Sequence, residues 1–399
     1  MKILMVSSIQ IFPLDSGNKI RIYNLIQRMR SMGTEVDFLY CKDNFFSPVS
    51  EAAIKEMRRE IGADHFFLFS DLEIKLSAKL KRKLRELLEK CNLSKKIIIT
   101  YHTDELYDPK LGEKCNRLIR KKHYDVIWLE YIWFSKIFDE ISDKRVLKVI
   151  DTHDIMSKRH EKYLSLGQKP DFYYTTRRQE RKSLSRADIV VAIQNREEYF
   201  FRRLLKRGKK IVTIGDCIEK SENILVKNPS ICFVGAANTF NVQGIRYFIN
   251  EVFPLIQKEM PQVCFYIVGR VCDMIPDSDD YIKCGVVNHI CDVYEKVRVV
   301  INPVQQGTGL NIKSIEAIAN TKPLVSTSVG VKGLHSDKEC FKVADEPKRF
   351  AEMIVWLLTS DDECEKLMHN CSRFIDQYNK KNERALRGIV KWASDRIYE

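Results

Sequence analysis

Residues 298–334, RVVINPVQQGTGLNIKSIEAIANTKPLVSTSVGVKGL, restrict the fold more than any other stretch of this 399-residue chain. They read as strand, glycine loop, helix and strand. Val299, Val300 and Ile301 form a short apolar run closed by Pro303, the pattern of a buried parallel strand. Gly307 and Gly309 let the backbone bend and leave its amides uncovered. Asn311 is the expected N-cap of a helix from about Ile312 to Ala319. Leu324 and Val325 begin the next strand. The first amides of a helix lack partners and the dipole is positive there, so a glycine loop running into a helix attracts anions. Lys313, in that first turn, adds a full charge that the dipole alone disfavours and a bound anion would favour. Glu316 lies three residues on, on the same face. The plainer alternative is an ordinary βαβ unit in which Lys313 and Glu316 make a surface pair worth a few tenths of a kcal/mol.

The rest of the chain repeats the alternation. Lys2–Ser7 is a buried strand, followed by the glycine-containing loop DSGNKIR and a helix from about Ile20 to Met32. Val36–Cys41, Asp125–Glu130, Val146–Asp151, Ile189–Ile193 and Ile211–Ile214 are further strands. The polar run 219–229 carries no buried pattern and marks a domain boundary. Strands restart at Ile231–Val234 and Val263–Val268, with the helix IRYFINEVFPLIQKEM between them, and the chain is helical from about Pro347. The fold class is therefore α/β, two doubly wound Rossmann-like domains. GxGxxG, the dinucleotide fingerprint, is absent. DTHD closes the Val146–Asp151 strand, so His153 sits where open α/β sheets bind ligands, with Asp151 or Asp154 available to orient its imidazole.

Charge and cysteine usage exclude several classes. Net charge is +13, spread over many helices rather than gathered in one block, and no nucleic-acid module is visible. The twelve cysteines form no CxxC pair, which argues for reduced thiols in a cytosolic protein and against zinc. No apolar run reaches the ~18 residues of a membrane span. Leu72, Leu76, Leu80, Leu84 and Leu88 recur every four residues among Lys75, Lys79, Lys81, Arg82, Lys83 and Arg85. Such a helix can lie on an anionic membrane surface; the favoured reading puts its leucines in the core and its lysines in water.

G-T-G-L-x-x-K-x-x-E-A in the second half, P-L-D-S-G-N-K-I-R near the start, DTHD, F-V-G-A, N-V-Q-G-I-R-Y-F, E-V-F-P-L-I and V-S-T-S-V-G-V-K-G-L occur in an order that resembles the family 4 glycosyltransferases of the GT-B fold. The nearest branch is similar to bacterial transferases that build surface and exopolysaccharides. The resemblance implies a cleft between an acceptor-side domain (1–220) and a nucleotide-sugar-binding domain (221–375), with a last helix (376–399) packed back on the first. It implies a retaining, metal-independent, hexosyltransferase-type enzyme with no cofactor beyond its nucleotide-sugar donor. The acceptor would be a glycan or a lipid-linked glycan, and the place cytoplasmic or peripheral on the inner membrane face. His153, Lys313 and Glu316 fall on catalytic positions. Gly17, Gly235, Asn241, Arg246, Gly307, Thr308, Gly309 and Leu310 join Lys313 and Glu316 around the donor, with Arg270 a second candidate beside Arg246. One position departs from the pattern: in the family's E-x7-E pair, Thr308 stands where the first glutamate is expected. That leaves open a degenerate binding subunit, and a nucleotide-sugar epimerase, as alternatives to an active transferase.

Overall fold

A computed structural model describes residues 1–42, 50–70, 72–91, 93, 96–165, 173–205, 208–287, 289–307, 311–334 and 339–398. The chain divides into two compact units. Unit 1 comprises Met1–Leu14, Asn18–Gly215 and Asn382–Glu399; unit 2 comprises Asp15–Gly17 and Asp216–Lys381.

Unit 1 is built on seven strands: β1 (Lys2–Ser7), β2 (Glu35–Cys41), β3 (Phe66–Phe69), β4 (Val126–Glu130), β5 (Leu147–Asp151), β6 (Ile189–Ala192) and β7 (Lys210–Thr213). Every pair is parallel, in the order β3-β2-β1-β4-β5-β6-β7. Unit 2 carries β8 (Ser230–Val234), β9 (Cys264–Val268), β10 (Ile282–Gly285), β11 (Val299–Asn302), β12 (Leu324–Ser326) and β13 (Lys342–Val343), again all parallel, in the order β10-β9-β8-β11-β12-β13. Both faces of each sheet are covered, which is why the strands read as unbroken apolar runs rather than alternating ones. In β8, Ile231 and Phe233 join one cluster while Cys232 and Val234 join the cluster behind the sheet.

The strand order reverses between β1 and β4 in unit 1 and between β8 and β11 in unit 2. At such a switch point neighbouring connections leave in opposite directions and open a crevice at the carboxyl ends of the strands. Gly17–Ser31, the helix after β1, begins three residues earlier than its apolar spacing suggests. Its Arg21 is 2% exposed and pairs with Asp151 at the end of β5 through Nε and Nη2, both at 2.9 Å. The same guanidinium donates to the carbonyls of Ile214 and Gly215 (2.9 Å each), so one side chain ties the first helix to two later crossings. The helix read as IRYFINEVFPLIQKEM is interrupted. Thr239–Tyr247 is α-helical, Phe248–Val252 is a π turn, and Phe253–Glu259 resumes the helix. Pro254 has no N–H for the preceding turn and its ring crowds that turn's carbonyl; the wider turn absorbs both.

Of the five leucines expected in the core, Leu88 is buried and Leu72 is half-buried against the core, but Leu76, Leu80 and Leu84 are not in it. Leu76, Leu80, Leu84 and Leu87 are exposed, whereas Ala78 and Leu88 are buried. The inward face is fixed by a charge, since the buried Glu105 accepts from Lys81 and Arg85 of this helix. No helix among the described residues is long and apolar enough to cross a membrane. All twelve cysteines are free.

Candidate functional site

The switch point of unit 2 gathers most of the residues that the sequence singles out. Ile312–Ala319 follows β11 as expected, and Asn311 stands at its N-cap position. The Asn311 side chain does not cap the helix; its Nδ2 donates instead to the Val329 carbonyl at 3.0 Å. The Asn311 side chain therefore leaves the positive end of the first turn uncovered. Lys313 Nζ donates from that turn to the side-chain Oδ1 of Asn241 and lies 4.7 Å from the centroid of the Phe233 ring. Asn241 is held for this contact: its N–H bonds Asn238 Oδ1 (2.9 Å) and its Nδ2 donates to Ala236 O (2.9 Å), leaving Oδ1 toward the ammonium. Among the described residues no carboxylate lies within ion-pair distance of Lys313. Burial depresses it to about 7, and the nearby Glu316 charge opposes that only in part. Glu316, one turn deeper, accepts from Tyr294 Oη at 3.2 Å and is pushed up to about 7 by burial. A partly desolvated cation whose neighbours are an amide and a ring is suited chemically to an anion.

Small residues bring backbone close to this point. Gly244 lets the Thr239–Tyr247 helix pack on the loop after β11, since a Cβ there would stand 3.0 Å from Val304 Cα and 3.1 Å from the Pro303 carbonyl. Gly235 ends β8, and its added Cβ would meet the Phe233 ring at 2.9 Å. Gly17, grouped with unit 2, opens its helix against Ile312, where a Cβ would come within 2.6 Å of Cδ1. Gly307 lies in the loop before Asn311, with Val329 as its neighbour. Thr308, Gly309 and Leu310 lie outside the described residues. Arg246 is not brought to this group: it is exposed, on another face of its helix, and donates to the Met274 carbonyl at 2.9 Å. Arg270 pairs with Asp15 at 2.5 Å.

Unit 1 has a buried constellation of its own at the ends of β4 and β5. Glu130 and Asp151 are register partners, so two carboxylates stand side by side. Asp151 spends both oxygens on Arg21. Glu130 accepts from Trp128 Nε1 at 2.9 Å and from His153 Nε2. Burial and the adjacent Asp151 charge push Glu130 above the usual carboxylate range. His153 adopts the left-handed backbone region (φ 59°), its side chain is 5% exposed, and its ring stacks on Tyr131 at 4.1 Å. The ligand atoms of Glu130, Asp151 and His153 lie within 4.8 Å of one another, close enough for a metal ion. They do not suit one: the Arg21 guanidinium already neutralises Asp151, and a cation would have to displace it.

Comparison with known proteins agrees with this architecture. Residues 228–360, which contain the whole Lys313 group, match the family described as Glycosyl transferases group 1. Over nearly its whole length the chain superposes on solved structures of two glycosyltransferases. Sucrose-phosphate synthase from Thermosynechococcus elongatus gives a TM-score of 0.68 at 16% identity, covering 100% of both chains. The S. aureus TarM G117R mutant, in complex with fondaparinux, alpha-GlcNAc-glycerol and UDP, gives 0.66 at 12% identity, covering 98% of this chain and 99% of that one. The fold is GT-B. A protein of Klebsiella pneumoniae, named only as an uncharacterized 44.6 kDa protein in the cps region, is 26% identical over 188 residues, 43% of this chain. The match spans about half the length of that relative (48%).

Within the GT-B frame, three side chains matter that the sequence reading passed over. Glu130, not Asp151 or Asp154, holds His153. Asp151 Oδ2 is 3.9 Å from the imidazole, and Asp154 pairs with Arg159. A carboxylate closing the apolar run VIWLE is the signal that could have found it, because a charge at a buried strand end needs a partner. Tyr294, the partner of Glu316, and Phe233, beneath Lys313, read in sequence as ordinary core aromatics and gave no signal.

Proposed function

We propose that this chain is a retaining, metal-independent glycosyltransferase of the hexosyl type. It would move a sugar from a nucleotide-sugar donor to a glycan or lipid-linked acceptor, in the cytoplasm, during surface-polysaccharide synthesis. The observation that carries the reading is Lys313: a half-buried lysine with no carboxylate partner among the described residues, in the first turn of a helix that the Asn311 side chain does not cap, at the switch point of a GT-B domain. Departure of a nucleoside diphosphate concentrates negative charge on the leaving oxygens. Helix amides and Lys313 supply a fixed positive environment for that charge with no reorganisation, so they stabilise the transition state more than the ground state. Glu316, beyond the phosphates, is suited to accept from ribose hydroxyls. The His153–Glu130 pair of unit 1 supplies a held, polar imidazole for the transferred sugar. The UDP bound by TarM and the cps-region setting of the Klebsiella relative support the donor class and the pathway class.

A thermal-shift panel of UDP-, GDP-, ADP-, CMP- and dTDP-linked sugars tests this. A ligand at a hundred times its dissociation constant should add about 2.7 kcal/mol of stability. One base should stand out, and its sugar should then transfer to an acceptor glycan with retained anomeric configuration. No shift with any nucleotide would remove the reading. A shift without transfer to any acceptor would favour a binding subunit, for which Thr308 in place of a glutamate is the argument.

A further inference from the structure

The helix Leu76–Lys90 is inverted for a helix bathed in water. Ala78, Lys81, Arg85 and Leu88 form the stripe turned toward unit 1. Lys81 Nζ and Arg85 Nη2 each lie 3.2 Å from the buried Glu105 carboxylate. Arg85 Nε donates to the Ile99 carbonyl at 2.8 Å, and its guanidinium lies 3.7 Å from the Tyr101 ring centroid. Leu76, Leu80, Leu84 and Leu87, spaced four, four and three residues apart, form one stripe on the opposite side and are 72, 58, 46 and 56% exposed. Lys79, Lys83 and Lys90 are exposed along one border of that stripe. Leu93 and Ile97 continue the exposed apolar surface just beyond the helix, next to Lys96.

The orientation is held by the fold. Rolling the helix to bury its leucines would strip Lys81 and Arg85 from Glu105 and leave a buried carboxylate unpaired, a cost of several kcal/mol. The leucines therefore stay outward and need a cover. Residues 75–97 carry nine Lys and Arg against two Glu. A second copy of the chain is a poor occupant, because it would set two such charged surfaces against each other. We propose that this face docks on an anionic lipid surface, with the four leucines entering the acyl boundary and Lys79, Lys83 and Lys90 reaching the phosphates. This stands on the orientation of one helix and does not depend on catalysis.

The test is sedimentation of the full-length protein with phosphatidylcholine vesicles, with and without about one-third phosphatidylglycerol. The parent should pellet with the anionic vesicles at low salt and poorly with neutral ones. Lys79→Gln, Lys83→Gln and Lys90→Gln together should lower the partition coefficient on the order of a hundredfold, at about fivefold for each charge removed. Leu80→Gln, Leu84→Gln and Leu87→Gln together should lower it as well, with an unchanged melting temperature, because these side chains already face solvent. Equal binding by parent and variants would overturn the proposal. So would a melting temperature lowered by the leucine variant, or a lipid-free dimer that the leucine variant disperses. A nucleotide-induced thermal shift should persist in both variants, which separates failure here from failure of the transferase reading.

Discussion

The affinity for a nucleoside diphosphate should depend on pH chiefly through Lys313 between about pH 7.5 and 9, where Glu316 is already mostly ionised. Burial holds the free ammonium at about 7. A bound diphosphate places negative charge beside it and restores the cationic form, so each binding event above pH 7 takes up a proton. At pH 7.5 about a quarter of a group with a pKa near 7 is charged, and at pH 9 about one per cent, so affinity should fall roughly twenty-five-fold between them. That is about 1.9 kcal/mol. Isothermal titration with the diphosphate of the base chosen by the thermal-shift panel measures it. Repeating the titration in two buffers of different ionisation enthalpy counts the protons, which should approach one per ligand near pH 8.5. Lys313→Arg keeps its charge at every pH tested and should bind with a flat profile. Lys313→Ala should be flat as well, but about ten- to a hundredfold weaker near pH 7, the scale of one charge-assisted hydrogen bond. A parent whose affinity does not change between pH 7.5 and 9, or a slope that survives in Lys313→Arg, would refute the assignment of this lysine to the anion.

Glu316→Gln should weaken binding of the ribonucleotide several-fold and have much less effect on the 2′-deoxynucleotide; equal losses for both would mean that the glutamate serves the fold rather than the ribose. His153→Ala should lower kcat while leaving nucleoside diphosphate affinity within about twofold, since the two residues belong to different units. Glu130→Gln should lower kcat with a shifted pH–rate profile, because it keeps the shape of the imidazole's partner and removes its charge; an unshifted profile would make Glu130 only a packing residue. Glu197 is buried beside Gln194 and pushed up to about 8 by burial, so the folded state holds a proton that the unfolded chain releases near pH 4. Stability should therefore fall as pH rises from about 4.5 to 8, and Glu197→Gln should flatten that slope by up to ~1.4 kcal/mol per pH unit, read from urea midpoints.

What could be read from sequence followed from burial on both sides of a strand. DVIWLE, ICFV and VVIN have no polar alternation, and each is a central parallel strand. The placement of Lys313 and Glu316 on one face was legible because a short, mostly apolar helix of about two turns has little use for a cation at its start. The failures share a cause: a buried charge outvoted an apolar pattern. Leucine spacing predicts which side of Leu76–Lys90 is apolar, not which side faces inward, and Glu105, fifteen residues past the helix, decided that. The partner of His153 was sought among the acids next to it in the chain. Register supplied Glu130 from the neighbouring strand instead, and pairing across a parallel sheet cannot be seen in local sequence.

The two candidate sites treat charge differently, and the contrast bears on where an anion belongs. In unit 1 several buried acids meet a basic side chain of the same domain: Asp151 with Arg21, Glu130 with His153, Glu105 with Lys81 and Arg85. Such clusters give rigidity and leave nothing for a ligand to neutralise. In unit 2 the Lys313 ammonium touches an amide and a ring, and Glu316 touches a phenol. Both are displaced by burial to about 7, the lysine downward and the glutamate upward. Near neutral pH neither group of the free site is therefore held firmly in its charged form. A diphosphate entering beside the lysine would favour the ammonium, whose charge in turn favours the ionised glutamate. Binding of the phosphates would then convert Glu316 from a partly protonated acid into a hydrogen-bond acceptor for ribose. The prediction that follows is specific: removing the ammonium with Lys313→Ala should also diminish the preference for ribose over deoxyribose near pH 7, although Lys313 has no contact with the sugar in this reading. An undiminished preference in that variant would show that the two groups act independently.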